Sequence, residues 1–132
     1  MTVDGGDRRA RGREAERLAA AFLAERGWEI LDRNHATRRG EVDLVCREGG
    51  VLCFVEVRSR STDAQGGPEE TVTREKARRV VQAATDWALR NGGLDRAIRF
   101  DVVAVTFEDG GASPRIDLYR AAFDGDGRPG LW

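Results

Sequence analysis

Apolar side chains recur at helical spacing in two segments of the chain. The first segment covers residues 8–26, and Gly27 supplies its C-terminal stop. The second covers residues 74–91, with Thr73 placed to cap its first turn. The two apolar stripes are Ala15, Leu18, Ala19, Phe22 and Leu23 in the first segment, and Ala77, Val80, Val81, Ala84, Trp87 and Ala88 in the second. Both patterns predict amphipathic helices packed on a core.

Strand patterns fill most of the chain between and after these helices. Residues 28–31 form a short β-rich run, and residues 41–47 and 51–58 form two stronger ones. Gly49-Gly50 between the stronger runs predicts a tight hairpin, because the favoured two-residue turns need positive φ. The other predicted segments are a polar loop over 32–40, a long loop over 59–72, a strand over 98–107 and a weak edge strand over 116–119.

The order of these elements predicts an α/β fold. The core order is α-β-β-β-α-β, in which the hairpins need antiparallel pairing and the strand–helix–strand crossover favours a parallel pair. A mixed sheet with flanking helices follows. At 132 residues the chain has the size of one domain. We expect that domain to span residues 8–123, between a flexible N-terminus over 1–7 and a loose Gly/Pro-rich tail over 124–132.

The predicted hairpin brings two carboxylates together. With Gly49-Gly50 as the turn, Asp43 faces Glu56 and Glu41 faces Arg58. The opposite face carries the apolar pairs Val42–Val57, Leu44–Val55 and Cys46–Cys53. Directly opposed like charges destabilise a strand pair, so either one carboxyl is protonated or a cation lies between them. A hard ion such as Mg²⁺ suits an oxygen-only site. The alternative is that both carboxylates are solvated on the sheet face.

Composition narrows the class of protein further. The chain is 40% hydrophobic and 34% charged, and it contains no apolar run of the roughly 18 residues that a membrane helix needs. The N-terminus has charge without an apolar stretch behind it, which is not a secretory signal. With two cysteines and no export signal, we expect a cytoplasmic protein with buried free thiols and no membrane partner.

The distribution of charge is more informative than its sum. A net charge of -1 excludes the uniformly basic body of many small DNA-binding proteins. Basic residues nevertheless cluster, and each cluster is either a contact for phosphates or solvated surface charge. The clusters are Arg8, Arg9, Arg11, Arg13 and Arg17 near the start, Arg38 and Arg39 in the first polar loop, and Arg58 and Arg60 at the end of a strand.

These motifs resemble a known nuclease superfamily. Asp43 followed by Glu56-Val57-Arg58 is similar to the Asp…Glu-x-Lys signature of the PD-(D/E)XK nucleases, and the element order resembles their restriction-endonuclease-like core. The run from residue 11 to residue 61 resembles the archaeal Holliday-junction resolvases. The YraN-like family of bacterial proteins is closer still. Its pattern appears as Gly12…Ala15-Glu16…Phe22-Leu23…Gly27, Arg33-Asn34, Gly40-Glu41-Val42-Asp43-Leu44, Phe54-Val55-Glu56-Val57-Arg58-Ser59-Arg60, Lys76…Arg79 and Arg99-Phe100-Asp101-Val102-Val103.

The resemblance implies a metal-dependent site. Asp43, Glu56 and the backbone carbonyl of Val57 would hold Mg²⁺ or Mn²⁺, and Glu16 would match the helix glutamate that completes the site in resolvase-like members. Asp101 matches a family position too, but an acid inside a strand is more simply an anchor for a loop or an arginine. The expected contacts for a DNA backbone are Arg38, Arg39, Arg58, Arg60 and Lys76.

Arg58 departs from the superfamily pattern, where catalytically competent members usually carry lysine. Arginine stays protonated and presents a planar fork, so the exchange is not conservative. Arg58 is then a phosphate contact or a partner of Glu41. Lys76, the one lysine of the chain, is either a substitute for the missing lysine or a solvated helix residue.

Three hypotheses follow from this pattern. The first is an endonuclease acting on structured, branched DNA, for which a homodimer is expected because two symmetric cuts suit a two-fold protein. The second is a nucleic-acid-binding module that lost cleavage with the change to Arg58. The third is an interaction protein of nuclease ancestry.

Overall fold

The protein folds as a mixed α/β structure. The computed structural model describes residues 5–61, 72–93, 95–108 and 113–130. Its elements are α1 (Gly5–Glu25), β1 (Glu29–Ala36), β2 (Glu41–Glu48), β3 (Val51–Ser61), α2 (Arg74–Asn91), β4 (Ala97–Phe107) and β5 (Arg115–Phe123). The five strands form one sheet in the order β1-β2-β3-β4-β5. Among these strands of the described residues, only β3 and β4 pair in parallel, across the α2 crossover. The predicted mixed sheet with two helices is therefore confirmed.

The sheet is covered on both faces. One hydrophobic cluster gathers beneath α2 and includes Val45, Leu52, Phe54 and Trp87. A second gathers beneath α1 and includes Leu23, Leu44, Val55 and Val103. Because adjacent residues of a strand point to opposite faces, β2, β3 and β4 contribute to both clusters. The central strands therefore read as continuous apolar runs in the sequence.

The predicted hairpin register is confirmed in its turn-proximal half. Residues of β2 and β3 pair from Glu48 with Val51 to Leu44 with Val55. Gly49 in the turn has a φ of 59°, a conformation that glycine adopts without steric cost. The two cysteines face each other, and both are buried free thiols.

Beyond Leu44 the regular register is lost. Val42 packs in the cluster beneath α2, whereas Val57 packs against the cluster beneath α1. The predicted Val42–Val57 pair on one apolar face is therefore not found. The physical reason is at Asp43, whose carboxylate accepts a hydrogen bond of 2.8 Å from the backbone N–H of Val57. The backbone N–H of Val57 therefore donates to a side chain, whereas in a regular antiparallel pair it would donate to a backbone carbonyl.

The edge strands are longer than the sequence pattern predicts. β1 continues to Ala36 although its second half is polar, because an outer strand leaves such side chains in solvent. β5 extends from Arg115 to Phe123 across an irregularity in which Ala121 has a φ of 54°.

The described part of the C-terminal tail makes defined contacts. Asp124 accepts hydrogen bonds from the backbone N–H groups of Asp126 and Arg128, both at 2.9 Å. Residues 1–4 and 131–132, within the predicted flexible termini, lie outside the described residues, as do residues 62–71 of the predicted long loop. Neither described helix has the length and apolar character needed to cross a membrane.

Candidate functional site

A cleft of about 800 Å³ opens at the start of β2. Its walls come from three directions, so elements distant in sequence meet there. These walls are Gly12, Ala15 and Glu16 of α1, residues 36–41 of the β1–β2 connection, Asp43, Glu56, Val57 and Ser59 of the hairpin, and Lys76, Arg79 and Val80 of α2. The cleft therefore contains the predicted carboxylates and a cation from the second helix.

Asp43 and Glu56 are adjacent carboxyls in this cleft, as the hairpin predicted. Burial and the negative charge of Glu56 raise the pKa of Asp43 well above the ordinary carboxyl range, against the lowering effect of the Val57 N–H. Burial also raises the pKa of Glu56, although its hydrogen bond with Asp43 and the positive charge of Lys76 act in the opposite direction. Burial therefore favours one shared proton on the pair over ionisation of both carboxyls.

Glu16 reaches the same pair from α1. Its pKa is raised by burial and by the negative charge of Asp43, and lowered by a hydrogen bond with the side chain of Asn34. Asn34 lies in β1 with a φ of 53°, a left-handed conformation that asparagine tolerates better than most residues. The helix glutamate predicted from the resemblance is therefore beside Asp43, attached to β1 by a residue with an unusual backbone.

Two basic residues act on the Glu56 carboxylate, and they come from different elements. Lys76 lines the cleft, and its charge stabilises the ionised form of Glu56. Arg58 also acts on Glu56 through its charge, but the described wall of the cleft passes through Val57 and Ser59 instead. The lysine of α2 thus lies in the cleft and acts on Glu56 through its charge.

The β1–β2 connection forms the outer wall of the cleft and carries Arg38 and Arg39. It is held tightly against α2. A Cβ built on Gly40 would lie 1.9 Å from the backbone carbonyl oxygen of Arg79, far inside any contact distance. Thr37 closes the turn through backbone and side-chain hydrogen bonds with Gly40. Glycine at this position therefore permits the close approach that positions both arginines.

Two predicted residues are not brought to the cleft. Arg60 donates a hydrogen bond of 3.3 Å from Nε to the Thr106 hydroxyl and does not line the cleft. Asp101 is completely buried, ion-paired with Arg99 at 2.8 Å and bonded to the backbone N–H of Ala121. Asp101 therefore anchors an arginine and the irregularity of β5, which is the structural alternative that the sequence left open.

The carboxyls of the cleft do not converge on one point. Among residues 5–61, 72–93, 95–108 and 113–130, no group of three or more His, Cys, Asp or Glu side chains is close enough to hold a metal ion. The donor set is nevertheless of the kind that Mg²⁺ takes, since that ion usually binds one or two carboxylates and retains several waters. Asp43 and Glu56 meet this smaller requirement.

Comparison with known proteins identifies the family. The model of the uncharacterised protein family UPF0102 matches residues 15–105, which include Glu16, Asp43, Glu56 and Lys76. The chain belongs to the UPF0102 family. This result confirms the YraN-like resemblance seen in the sequence.

Relatives of this UPF0102 chain match it over nearly its full length. A UPF0102 protein of Anaeromyxobacter sp. (strain Fw109-5) is 78% identical over 129 residues, covering 98% of this chain and 96% of the relative. A UPF0102 protein of Anaeromyxobacter dehalogenans (strain 2CP-C) is 73% identical over 129 residues, covering 98% and 95%. One from Chromohalobacter salexigens is 46% identical over 126 residues, covering 94% and 98%.

Several residues of the UPF0102 cleft were not predicted from the sequence. Asn34, Gly40 and Arg79 belong to the family pattern, which by itself indicates no role for them. A glycine directly before a strand that bears a site carboxylate is a usable signal, because it permits close backbone approach. Asn34 gives no comparable signal, since its role depends on a positive φ that the sequence does not specify.

Proposed function

We propose that this chain is a metal-dependent endonuclease of the PD-(D/E)XK superfamily with a restriction-endonuclease-like fold. Its substrate would be DNA with branched or otherwise structured form, cut by hydrolysis of a phosphodiester bond. The observation that carries the proposal is the adjacency of Asp43 and Glu56 within an open cleft whose walls also carry cations. Such a pair of like charges does not stabilise the fold, so its presence in the cleft points to a function.

The electrostatics of the pair support a cation as its natural partner. Two buried carboxyls with raised pKa values are costly to ionise together. A divalent ion between them would remove that cost, with Asp43, Glu56 and the Val57 carbonyl as protein ligands and Glu16 at the margin. Mg²⁺ and Mn²⁺ both suit oxygen donors of this type.

The chemistry divides between the ion and the side chains. A bound Mg²⁺ or Mn²⁺ supplies an activated water and neutralises charge on the scissile phosphate. Arg38 and Arg39 hold the phosphate backbone from the outer wall of the cleft. Arg58 attracts the same backbone from β3 without lining the cleft itself.

Lys76 takes the part that the superfamily lysine plays elsewhere. It lies in the cleft and acts on Glu56, so its ammonium group is near the atoms that would react. Lysine offers a compact point charge with a tunable pKa, whereas the guanidinium of Arg58 does not lose its proton. The change from lysine to Arg58 on β3 is then compensated by a lysine on α2.

A nucleic-acid-binding module without cleavage is the second candidate. It is favoured by one observation: Asp43 already has hydrogen-bond partners in Glu56 and in the Val57 N–H, so the pair is satisfied without an ion. Under this alternative the arginines hold DNA but no bond is broken.

Cleavage of labelled four-way-junction, flap and linear DNA with Mg²⁺ or Mn²⁺ tests the proposal. The wild type should cut at least one of these, while Asp43→Asn, Glu56→Gln and Lys76→Gln should be strongly impaired. Arg78→Gln is the matched control for Lys76→Gln, because both are exposed cations on α2 and Arg78 does not line the cleft. We expect a homodimer on junction DNA, measured by sedimentation.

Each outcome separates the candidates. Binding and metal-induced stabilisation without any cutting would establish the binding module. Cutting that survives in Asp43→Asn would show that another site is responsible. Absence of both binding and metal response would eliminate the nucleic-acid function.

A further inference from the structure

A second hollow adjoins the carboxylate cleft. Its volume is about 650 Å³, and it shares Ala36, Thr37, Arg38 and Arg39 with the cleft as a common wall. The rest of its lining is His35, Gln82, Asp86 and Arg90. The two hollows therefore form one continuous trough between the β1–β2 connection and α2.

One row of α2 side chains follows this trough. Its members are Lys76, Arg79, Asp86 and Arg90, whose spacings of three, seven and four residues place them on one side of the helix, while Ala83 in the gap between Arg79 and Asp86 is buried in the core. Lys76 and Arg79 line the carboxylate cleft, while Asp86 and Arg90 line the second hollow. At 1.5 Å per residue the row is about 21 Å long.

At the far end of the row, Asp86 orients the side chain of Arg90. Asp86 accepts a hydrogen bond of 2.9 Å from Nε of Arg90 and is 2.8 Å from Nε2 of His35. Within the described part of the chain, the terminal nitrogens of Arg90 have no protein partner, and its side chain is 71% exposed. Asp86 thus fixes the direction of the guanidinium while leaving most of its donors for a ligand.

The opposite wall adds further positive charge. Arg38 and Arg39 lie where the two hollows meet, and neither forms an ion pair with any residue that the structure describes. Across the trough, the Asp86 carboxylate is already engaged by His35 and Arg90. Beyond the carboxylates of the first cleft, the trough therefore presents cations from both walls.

We propose that this trough is a track for an extended phosphodiester backbone, leading from the Asp43–Glu56 pair to Arg90. The inference rests on the proposed function and adds that DNA must continue for about 20 Å beyond the reacting phosphate, the length of about six base pairs of duplex. An elongated, cation-lined channel continuous with the carboxylates suits a repeating anion better than a single phosphate group. An acidic peptide is the competing ligand.

Two α2 variants test the track without altering the residues assigned to the reaction. Arg90→Gln removes a cation from its far end. The matched control is Arg115→Gln, because Arg115 is a similarly exposed arginine paired with Asp117 on β5. Gln82→Lys adds a cation at the rim, and Thr85→Lys adds the same charge to an exposed residue of α2 that does not line the trough.

The measurement is fluorescence anisotropy of a labelled duplex of about 24 base pairs, well beyond the span of the track, over a salt series in EDTA. Each phosphate contact contributes about 0.9 to the slope of log K against log salt and about eightfold in affinity at 0.1 M salt. The slope of log K against log salt is negative, and we expect Arg90→Gln to reduce its magnitude by about 0.9. Gln82→Lys should increase that magnitude by a similar amount, and both controls should stay close to wild type. Melting temperatures of the variants should match those of their controls.

The alternatives give distinct results. If wild type binds DNA but each trough variant behaves like its control, the track is overturned and the proposed nuclease function stands. If a poly-glutamate peptide displaces the DNA at equal charge concentration, the track binds acidic peptide instead. If wild type binds no DNA, even when Mg²⁺ replaces EDTA, the proposed function fails and the track with it.

Discussion

At the residue scale, the carboxyl pair is the main electrostatic cost in the cleft. Burial raises the pKa of both Asp43 and Glu56, the charge of Glu56 raises that of Asp43 further, and Glu16 adds a third carboxyl beside them. Such an arrangement lowers stability when no cation is bound. Sites of chemistry commonly carry this kind of local cost.

Replacing Asp43 by asparagine should therefore stabilise the protein in EDTA. The amide oxygen still accepts from the Val57 N–H, while the cost of keeping an extra proton on the buried pair at neutral pH disappears. We expect a gain of about 1 kcal/mol in the free energy of unfolding at pH 7. Urea denaturation measures the gain, and Mn²⁺ should stabilise wild type but not Asp43→Asn. A loss of stability in EDTA would contradict this account of the pair.

Glu48 should make the stability dependent on acid pH. Hydrogen bonds from Arg120, and then from Arg99, lower the pKa of Glu48 from 4.5 to about 2, against the effect of burial. A folded-state pKa below the unfolded one means that unfolding takes up a proton, so this stabilisation is complete above pH 4.5 and is lost as the pH falls towards 2. Glu48→Gln should cost about 1 kcal/mol at pH 7, because the side chain is partly exposed.

Urea denaturation of wild type and Glu48→Gln between pH 7 and pH 2 checks this expectation. The difference between the two curves should shrink steadily below pH 4.5. Glu14→Gln serves as the control, because Glu14 pairs with Arg17 on the exposed surface of α1. A difference that remains constant with pH would show that Glu48 acts through packing alone.

The site was partly predictable from the sequence. The Gly49-Gly50 turn fixes the register as far as Leu44 and Val55, which brings the next residues of the two strands, Asp43 and Glu56, near each other. The register failed just beyond Leu44, because side-chain bonding at Asp43 interrupts the alternation of faces. The placement of Lys76 was left open, because it depends on how α2 docks on the sheet.

At the element scale, the contact between the β1–β2 connection and α2 determines the shape of the cleft. Gly40 touches the backbone of Arg79 so closely that no side chain fits between them. Both walls of the cleft on this side are therefore fixed relative to each other. The position of Asp43, three residues later, depends on the same contact.

Gly40→Ala should be strongly destabilising. The new methyl group meets a backbone carbonyl that cannot rotate away, and overpacking of this kind costs about 1–3 kcal/mol. Gly12→Ala is the contrasting control, because a Cβ at this helical position meets no atom within 4 Å. It should stabilise α1 by about 1 kcal/mol. Thermal denaturation distinguishes the two, and equal effects would contradict the close approach at Gly40.

Asp101→Asn should destabilise the β4–β5 pair without affecting the cleft. The change removes one of the two carboxylates paired with Arg99, the other being Glu48, and leaves an amide in a fully buried position, at an expected cost of about 1–3 kcal/mol. Asp117→Asn, which weakens the exposed pair with Arg115, should change stability by less than about 1 kcal/mol. Mn²⁺ should stabilise Asp101→Asn as much as wild type. Loss of this stabilisation would show that Asp101 contributes to the metal site.

Elements with a strong apolar period were predicted well. The bounds of α2 are those that its apolar stripe indicates: Thr73 caps the first turn as predicted, and Gly92 ends the helix in the left-handed conformation. β1 was predicted too short, since Arg33, Asn34 and His35 carry no strand period. The irregularity of β5 was not predicted, because it depends on Asp101 bonding to Ala121, a contact between distant segments.

At the scale of the whole molecule, the two hydrophobic clusters share the three central strands. A disturbance on one face of the sheet therefore reaches the other through β2, β3 and β4. Cys46 and Cys53 lie in the cluster beneath α1 and are both 0% exposed. Burial raises the pKa of each thiol to about 12, so neither is a reactive thiolate in the folded state.

Both thiols should therefore react only when the whole molecule unfolds. With a thiol reagent in excess at pH 8, we expect Cys46 and Cys53 to be modified at one rate, and urea should accelerate both equally. The free energy derived from this rate should agree with that from urea denaturation, because the clusters unfold together. Rapid modification of one cysteine in the native protein would show that the cluster beneath α1 opens independently.

The parallel pairing of β3 with β4 has a consequence for synthesis on the ribosome. β3 ends at Ser61, and its neighbour β4 begins only at Ala97. At a translation rate of about 5–20 residues per second, about 2–7 seconds pass between the synthesis of β3 and that of the strand that covers its edge. During that interval the nascent chain carries an open strand edge of the kind that joins to other chains. The exposed edge of β3 is therefore open to aggregation until β4 has emerged and paired with it.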